Sequence, residues 1–349
     1  MKNRVLIVSP TQGTYGGIEI TAVAQAELLQ DHLATLLHFK LTKGFETQTS
    51  LTEVADASAI HYKITERGFG SLWESILKSD IIHGHNVSID VVIPALLLAK
   101  PLYFTIHNKF HPDSWRHWVA MILQHVSRYR VYNSGFVRRT WFGDHTRHST
   151  VFPSISRLPE VKPLPPAEKR GFFYIGRWIA NKGIETLIEA YAQADIDKSL
   201  HPLYLAGSGP LKTSILKRVE EEKLQGIQYL GFISEEEKFE KYRSVKWNVA
   251  AANTREDMGL TPIEARHSGT PSIVSRDGGL PEAGGPAAII CEAGSVESLK
   301  SAIEAAARMD DLVYQKRCSL AKDSLNGYLK DYSLFRHHYG LSNEGEPQV

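Results

Sequence analysis

Two glutamates, Glu256 and Glu264, stand in the stretch EDMGLTPIEARHSGTPSIVSRDGGLPE, residues 256–282. An ionised carboxylate accepts hydrogen bonds from neighbouring hydroxyls, which suits the diols of a sugar or a ribose. The pattern predicts a helix that opens near Gly259, tolerates Pro262 in its first turn and ends at Gly269. The backbone N–H groups of Met258, Gly259 and Leu260, with Thr261 just inside, then lack helical partners, and the helix dipole adds roughly half a positive charge. A pyrophosphate is a natural ligand for that combination. Glu256 precedes the helix and Glu264 lies more than a turn inside it, so the two can face different parts of one elongated ligand. Acidic residues near a helix start also complement the dipole without any ligand, and for either glutamate alone that reading has equal standing.

Upstream, GRWIANKGIETLIEAY from Gly176 sets Arg177 at a strand exit and Lys182 at a helix entrance. Two such cations can neutralise the charge that grows on a departing nucleoside diphosphate. An arbitrary Arg and Lys are more often solvated surface charges, and it is their place ahead of the other motifs that favours a ligand. LAGSGPL from Leu205 puts Gly207 among small residues where a backbone can approach a ligand, and GFISEEEKFEKY from Gly231 carries Phe232 and Ile233.

In this order the four motifs resemble the retaining glycosyltransferases of family four, the glycosyl transferases group 1, which have the GT-B fold. The resemblance implies an α/β chain of two Rossmann-like domains facing each other across a cleft. It implies Glu256 on the transferred sugar, Glu264 on the nucleotide ribose, Arg177 and Lys182 beside the diphosphate, and the Phe232–Ile233 segment at the base. Asp257 and Met258 stand where the family commonly has Gly and Phe, and Phe152-Pro153-Ser154 replaces its usual Pro-Asn-Gly.

In the first half, TYGGIE at residues 14–19 lacks the full G-x-G-x-x-G dinucleotide fingerprint, which argues against an NAD or FAD enzyme. It resembles the family's double-glycine loop, in which Gly16 and Gly17 let the backbone approach the sugar diphosphate. HGHN from His83 and TIHN from Thr105 lie at predicted strand exits, so His83, His85 and His107 are candidates to converge. The resemblance singles out His107. No carboxylate or cysteine stands at a metal-ligand spacing beside them, so no metal and no cofactor is expected. Asp195-Ile-Asp197 matches the D-x-D of metal-dependent glycosyltransferases, but it falls in a predicted helix-to-strand connection, where a solvated turn is expected.

DSWRHWVAMILQHVSRYR from Asp113 places Trp115, Trp118, Val119, Ile122, Leu123 and Val126 at helical spacing. Such a stripe reads first as core. Residues 101–150 carry seven Lys/Arg against two Asp/Glu, including Arg116, Arg128, Arg130, Arg138 and Arg139. That excess gives the Trp115 to Arg130 segment a second reading, contact with an anionic acceptor or a membrane surface.

The elements that must position these residues alternate short aliphatic runs with amphipathic stretches, the pattern of parallel sheets covered by helices. Strands are expected at RVLIVS, LATLLHF, DIIHGH, PLYFTI and RYRVYN in the first half, and at GFFYIG, PLYLAG, GIQYLG and VKWNVA in the second. Five prolines crowd residues 153–166 and break the alternation. The expected division is therefore 1–152 as an acceptor-side domain, 153–169 as linker, and 170–326 as the nucleotide-sugar domain. The resemblance implies that residues 327–349 supply a helix returning to the first domain, and a frayed tail is expected after it.

At 349 residues the chain exceeds one core, and 42% hydrophobic and 23% charged residues describe an ordinary globular protein. A net charge of +1 gives no basis for nucleic acid as a partner. Two cysteines build no disulfide framework, and the opening apolar run is too short for a signal peptide, so a cytoplasmic enzyme is expected. The expected reaction is hexosyl transfer from a nucleoside diphosphate sugar, UDP-linked before GDP-linked, to a sugar, lipid-linked or other hydroxyl acceptor. A nucleotide-sugar hydrolase or epimerase, or a non-catalytic nucleotide-sugar-binding subunit, are the alternatives.

Overall fold

A computed structural model describes residues 3–13, 16–142, 149–151, 158–326 and 332–340. The chain divides into two compact units, one of residues up to Arg157 together with the segment from Leu329, the other Leu158–Tyr328.

The first unit has seven strands: β1 (Arg4–Thr11), β2 (Ala34–Leu41), β3 (Tyr62–Glu66), β4 (Ile81–His85), β5 (Leu102–Ile106), β6 (Tyr129–Tyr132) and β7 (Ser149–Val151). Between them run α1 (Gly17–Gln30), α2 (Thr49–Ala57), α3 (Phe69–Leu77), α4 (Ile89–Leu97), α5 (Trp115–Leu123) and α6 (Gly135–Phe142). The sheet is parallel in the order β3-β2-β1-β4-β5-β6-β7. Val5 to Val8 of β1 are all buried, the continuous apolar run that a parallel strand covered on both faces requires. Leu37, Ala22 and Val23 fill one face, and Leu72, Val91 and Phe104 the other. Strands β3 and β7 lie at the sheet edges, where the sequence pattern is too polar or too short to announce them.

The second unit repeats the scheme with β8 (Phe172–Arg177), β9 (Leu203–Ser208), β10 (Ile227–Gly231), β11 (Trp247–Ala250), β12 (Ser272–Ser275) and β13 (Ile289–Cys291), ordered β10-β9-β8-β11-β12-β13. Its helices are α7 (Ile184–Gln193), α8 (Lys212–Glu221), α9 (Glu235–Ser244), α10 (Leu260–His267), α11 (Leu280–Gly284), α12 (Val296–Ala307) and α13 (Asp311–Asn326). Strands β12 and β13 hide in the sequence inside the motif-rich stretch and after it.

Residues 158–169, read from sequence as linker, group with the second unit. Leu158 and Val161 pack beside Phe173 and Phe239, and Lys169 is buried with its ammonium donating to the Gly269 carbonyl at 2.8 Å and to Thr270 Oγ1 at 2.6 Å. Residues 153–157 of that linker lie outside the described residues.

Helix α14 (Tyr332–Tyr339) belongs to the first unit, where Phe335 and Tyr339 join the cluster formed by Val5, Ile7 and Val23. Residues 327–331 and the tail after Gly340 lie outside the described residues.

One sequence reading is overturned. The stripe on α5 is not core: the helix has no buried residue, and Trp115 and Ile122 are 66% and 68% exposed. Only Ala120, Met121 and Leu123 partly cover the cluster around Val91 and Phe104, because this short helix forms an outer layer over α4. No described helix is long and apolar enough to cross a membrane.

Candidate functional site

In an open parallel sheet the strand order reverses at one point, and the loops leaving the carboxyl ends of the flanking strands form a natural ligand site. In the second unit that point lies between β8 and β11. Arg177 ends β8 with its side chain exposed, and Lys182 follows in a tight turn. Glu256 lies in the loop after β11. The Lys182 ammonium donates to Glu256 Oε2, and each side chain is about one quarter exposed. Beneath them Tyr174 is buried, and burial together with the Glu256 charge holds its phenol above the usual range, so it stays protonated.

The loop carrying Glu256 is clamped from below. Arg255 has φ +58°, uncommon outside glycine, and both oxygens of Asp277 take the backbone amides of Arg255 and Glu256 at 2.7 and 2.8 Å. Gly279 N–H donates to the Glu256 carbonyl at 2.8 Å. Gly278 has φ +53°, and a Cβ there would stand 2.0 Å from the same carbonyl oxygen. The Asp-Gly-Gly of the sequence motif is thus the support on which Glu256 sits. Sequence reading quoted that run and missed Asp277, whose only signal is its place before the two glycines.

Helix α10 starts at Leu260 after Gly259, whose φ of +105° and lack of a side-chain cap leave the first amides of the helix to other partners. Met258 is buried, while Gly259, Leu260 and Thr261 are half-buried. Glu264 is buried one turn on. Lys238 Nζ donates to its Oε1 at 2.9 Å and the Tyr242 hydroxyl to its Oε2 at 3.1 Å. Burial opposes the charge on Lys238, but Glu264 and Glu235 outweigh it and hold the ammonium above its usual range. Each Glu264 oxygen retains acceptor capacity for a hydroxyl. Lys238 and Tyr242 were not singled out from sequence, being hidden in a charge-rich helix.

Gly207 lies near the end of β9, paired in register with Gly176. After β10, Phe232 is 91% exposed while Ile233 turns inward onto the Phe173 and Phe239 cluster. Ser234 and Glu237 form a reciprocal cap at the start of α9 and fix that turn. An aromatic ring with so little cover is suited to stacking on a planar base.

In the first unit Gly16 and Gly17 stand at the start of α1; Thr14 and Tyr15 lie outside the described residues. Glu19 folds back to this start, where burial raises its carboxyl above the usual range while Thr11 and the amides of Glu19 and Gly16 counteract the rise. Sequence reading passed over Glu19.

The three histidines come together. His107 Nε2 and His85 Nδ1 lie 2.9 Å apart, His85 Nε2 meets Gln25 Oε1 at 2.8 Å, and His83 bridges Tyr339 and Thr105 at 2.8 Å each. Burial pushes His83 and His107 down to about 3, and His85 well below its ordinary value. The nitrogens of His83 and His85 are thus engaged within the protein, and burial of all three rings favours the neutral form.

Asp195 and Asp197 make a turn: Asp197 Oδ1 accepts from Ser199 N–H at 2.9 Å, and Asp195 pairs with Arg308 at 2.9 Å.

A cavity of about 450 Å³ lies beside α4 and α5, lined by Arg67, Ser88, Asp90, Trp115, Arg116 and Leu123 among others. A smaller hollow shares Arg67 and Ser88 with it and reaches His85. Asp90 is paired with the buried Lys40, whose ammonium burial lowers to about 8 against the opposing pull of Asp90.

With this geometry in view, comparison with known proteins gives a consistent result. Residues 159–321 match the family model described as glycosyl transferases group 1. An uncharacterized glycosyltransferase of Bacillus subtilis, YqgM, is 26% identical over 224 residues, covering 58% of this chain and 60% of that protein. A GDP-mannose-dependent monoacylated alpha-(1-6)-phosphatidylinositol monomannoside mannosyltransferase of Corynebacterium glutamicum is 26% identical over 204 residues, 51% of this chain and 50% of that one. The chain therefore spans about half to three fifths of the length of these curated relatives. In structure, Anabaena HepE in complex with UDP-glucose superposes with a TM-score of 0.77 at 16% identity, over 97% of this chain and 98% of that one. Residues 159–321 thus match the glycosyl transferases group 1 model, on a chain whose fold is that of the GT-B glycosyltransferases.

Proposed function

We propose that the protein transfers a hexosyl group from a nucleoside diphosphate sugar to an acceptor hydroxyl, with retention at the anomeric carbon, in glycan, polysaccharide or glycolipid synthesis. The observation that carries this reading is the Lys182–Glu256 pair at the β8/β11 switch point, beside the uncapped start of α10. A departing diphosphate gains negative charge, and Arg177, Lys182 and the amides at Gly259, Leu260 and Thr261 are the groups that stabilise it. Glu256 orients the sugar through its hydroxyls once the diphosphate draws Lys182 toward itself. Glu264 takes the ribose, with its charge fixed by Lys238. Phe232 and Ile233 take the base, and Gly207 lets the backbone come close.

From the first unit, Gly16 and Gly17 serve the sugar diphosphate and His107 a sugar hydroxyl. The cavity by α5 takes the acceptor, its two arginines suiting a charged group and its Trp115 and Leu123 an apolar one. The exposed apolar face of α5 with its neighbouring cations also suits peripheral contact with the inner face of a membrane, which fits a cytoplasmic enzyme acting on a lipid-linked acceptor. A UDP-sugar is the first choice of donor, since HepE binds UDP-glucose; a GDP-sugar is the second, since the corynebacterial relative uses GDP-mannose. Neutralisation by protein cations and amides leaves no step in this scheme that calls on a metal.

The test is a thermal-shift screen of UDP- and GDP-sugars followed by product analysis. A donor at a hundred times its Kd stabilises the protein by about 2.7 kcal/mol. Donor hydrolysis or isomerisation as the main reaction, independent of any acceptor, would overturn the proposal, as would absence of turnover with every bound donor.

A further inference from the structure

The cavity beside α4 and α5 joins cations to apolar surface. Its described lining holds two arginines, Arg67 after β3 and Arg116 on α5, and one acidic side chain, Asp90. Asp90 is already matched: the Lys40 ammonium, buried near the end of β2, is paired with it and donates to Ser88 Oγ at 3.2 Å. With that pair cancelled, the wall carries the two positive charges of the arginines. Ser88 accepts from Lys40 and keeps its own hydrogen to donate. Arg116 lies over the Trp115 ring, 5.8 Å from its centroid, which holds the guanidinium by its face and leaves its N–H edges for an anion.

The apolar half begins in the same place. Ile89, Trp115 and Leu123 also line the cavity, and both helices carry apolar rows onward from it. On α4 the side chains of Ile89, Ile93 and Leu97 follow one another four residues apart, and they are 38%, 41% and 71% exposed. That row spans about 12 Å of helix. Trp115, Trp118 and Ile122 form a second exposed row on α5. Large apolar side chains left open beside two guanidiniums suit a molecule that has both characters.

We propose that the acceptor bound here is a phosphate-bearing amphiphile, its phosphate held by Arg67, Arg116 and Ser88 and its chain laid along Ile89, Ile93 and Leu97. This rests on the reading above that the cavity takes the acceptor. Two guanidinium forks and a hydroxyl match the three terminal oxygens and double charge of a phosphate ester, where a carboxylate offers two oxygens and one charge. Lys40 acts at one remove: without its ammonium, Asp90 would set an uncompensated carboxylate against the phosphate.

The experiment is calorimetry on the full-length protein with four probes: octyl phosphate below its micelle-forming concentration, octanoate, octanol and inorganic phosphate. Octyl phosphate is expected to bind at least about tenfold more tightly than each of the others. Arg67→Ala and Arg116→Ala should each weaken it about tenfold. Ile93→Ser should weaken it about fivefold and leave inorganic phosphate unaffected. Lys40→Met should also cost about tenfold, and Lys40→Met/Asp90→Asn should restore binding, because the carboxylate charge then leaves with the ammonium. The double variant decides the point if the single one fails to fold.

Octanoate or inorganic phosphate bound as tightly as octyl phosphate overturns the proposal, and so does an affinity that neither arginine variant moves. Absence of octyl phosphate binding in a protein that transfers hexose to a phosphate-free acceptor overturns this assignment alone. Octyl phosphate binding as described, in a protein that only hydrolyses its donor, removes the acceptor reading and keeps the site.

Discussion

The Lys182 ammonium is hydrogen-bonded to the Glu256 carboxylate across 74 residues of sequence. The two come together because β8 and β11 are neighbours in the second sheet although they are three strands apart in the chain. Both side chains are partly exposed, so their mutual attraction contributes at most about 1 kcal/mol to folding. A charge pair of little structural worth, seated at a strand-order reversal, is available to rearrange around a ligand.

Glu256→Ala therefore separates activity from stability. It is expected to cost roughly 3 to 4 kcal/mol of transition-state stabilisation, on the order of a hundredfold or more in turnover. The melting temperature should move by no more than about 4 °C. Transfer at the wild-type rate would sink the role given to this carboxylate.

Gly278→Ala tests the support under that carboxylate. The new Cβ meets the Glu256 carbonyl oxygen at 2.0 Å, and the backbone is held at φ +53°, so strain of about 1 to 3 kcal/mol is expected together with a shifted loop. Activity should drop toward that of Glu256→Ala while nucleoside diphosphate binding, measured by calorimetry, weakens less. Unchanged melting temperature and turnover would show that the loop is not held as described.

Lys238→Met leaves the Glu264 carboxylate, with its side chain 7% exposed, without its cation. Removing one partner of a buried pair costs about 3 to 5 kcal/mol. The double variant Lys238→Met/Glu264→Gln should recover part of that loss, because the remaining amide needs no counter-charge. A double variant less stable than the single one would refute the pairing, and denaturant midpoints supply the comparison.

The buried histidines make the first unit sensitive to acid. His83 is lowered to about 3 by burial, then by the charges of His107 and His338, and His107 is lowered to about 3 by burial. Between an ordinary value near 6.5 and about 3 the unfolded chain binds protons that the folded rings refuse. Stability is thus full above pH about 6.5 and falls as the pH drops through that window, by about 1.4 kcal/mol per pH unit for each ring. Thermal unfolding followed from pH 7.5 to pH 5 should show the decline, and His83→Gln should make it shallower. A midpoint that stays flat across that range would mean the rings titrate normally.

Much of the second unit was legible in the chain because its chemistry is local. The run from Glu256 to Glu282 sets a carboxylate just before a helix start, and backbone conformation makes such a short-range pattern visible. Arg177, Lys182, Gly207 and the segment at Phe232 were likewise found at strand exits, since aliphatic runs betray buried parallel strands.

What the sequence did not disclose are relations made by strand order and by the unit's own packing. Nothing in the spacing tells that Asp277 holds the amides of Arg255 and Glu256, that Lys238 neutralises Glu264, or that Tyr339 completes a line through Gln25 to His107. The α5 stripe shows the limit from the other side: helical periodicity identifies an apolar face, but burial depends on whether another layer lies against it, and here none of its residues is buried. The sequence by itself determined the two α/β halves and the kinds of group suited to a nucleotide sugar, because these follow from local propensity and side-chain chemistry. Tertiary structure alone decided which charges pair, which carboxylate is buried and which histidine nitrogens meet, because these depend on distances between residues far apart in the chain.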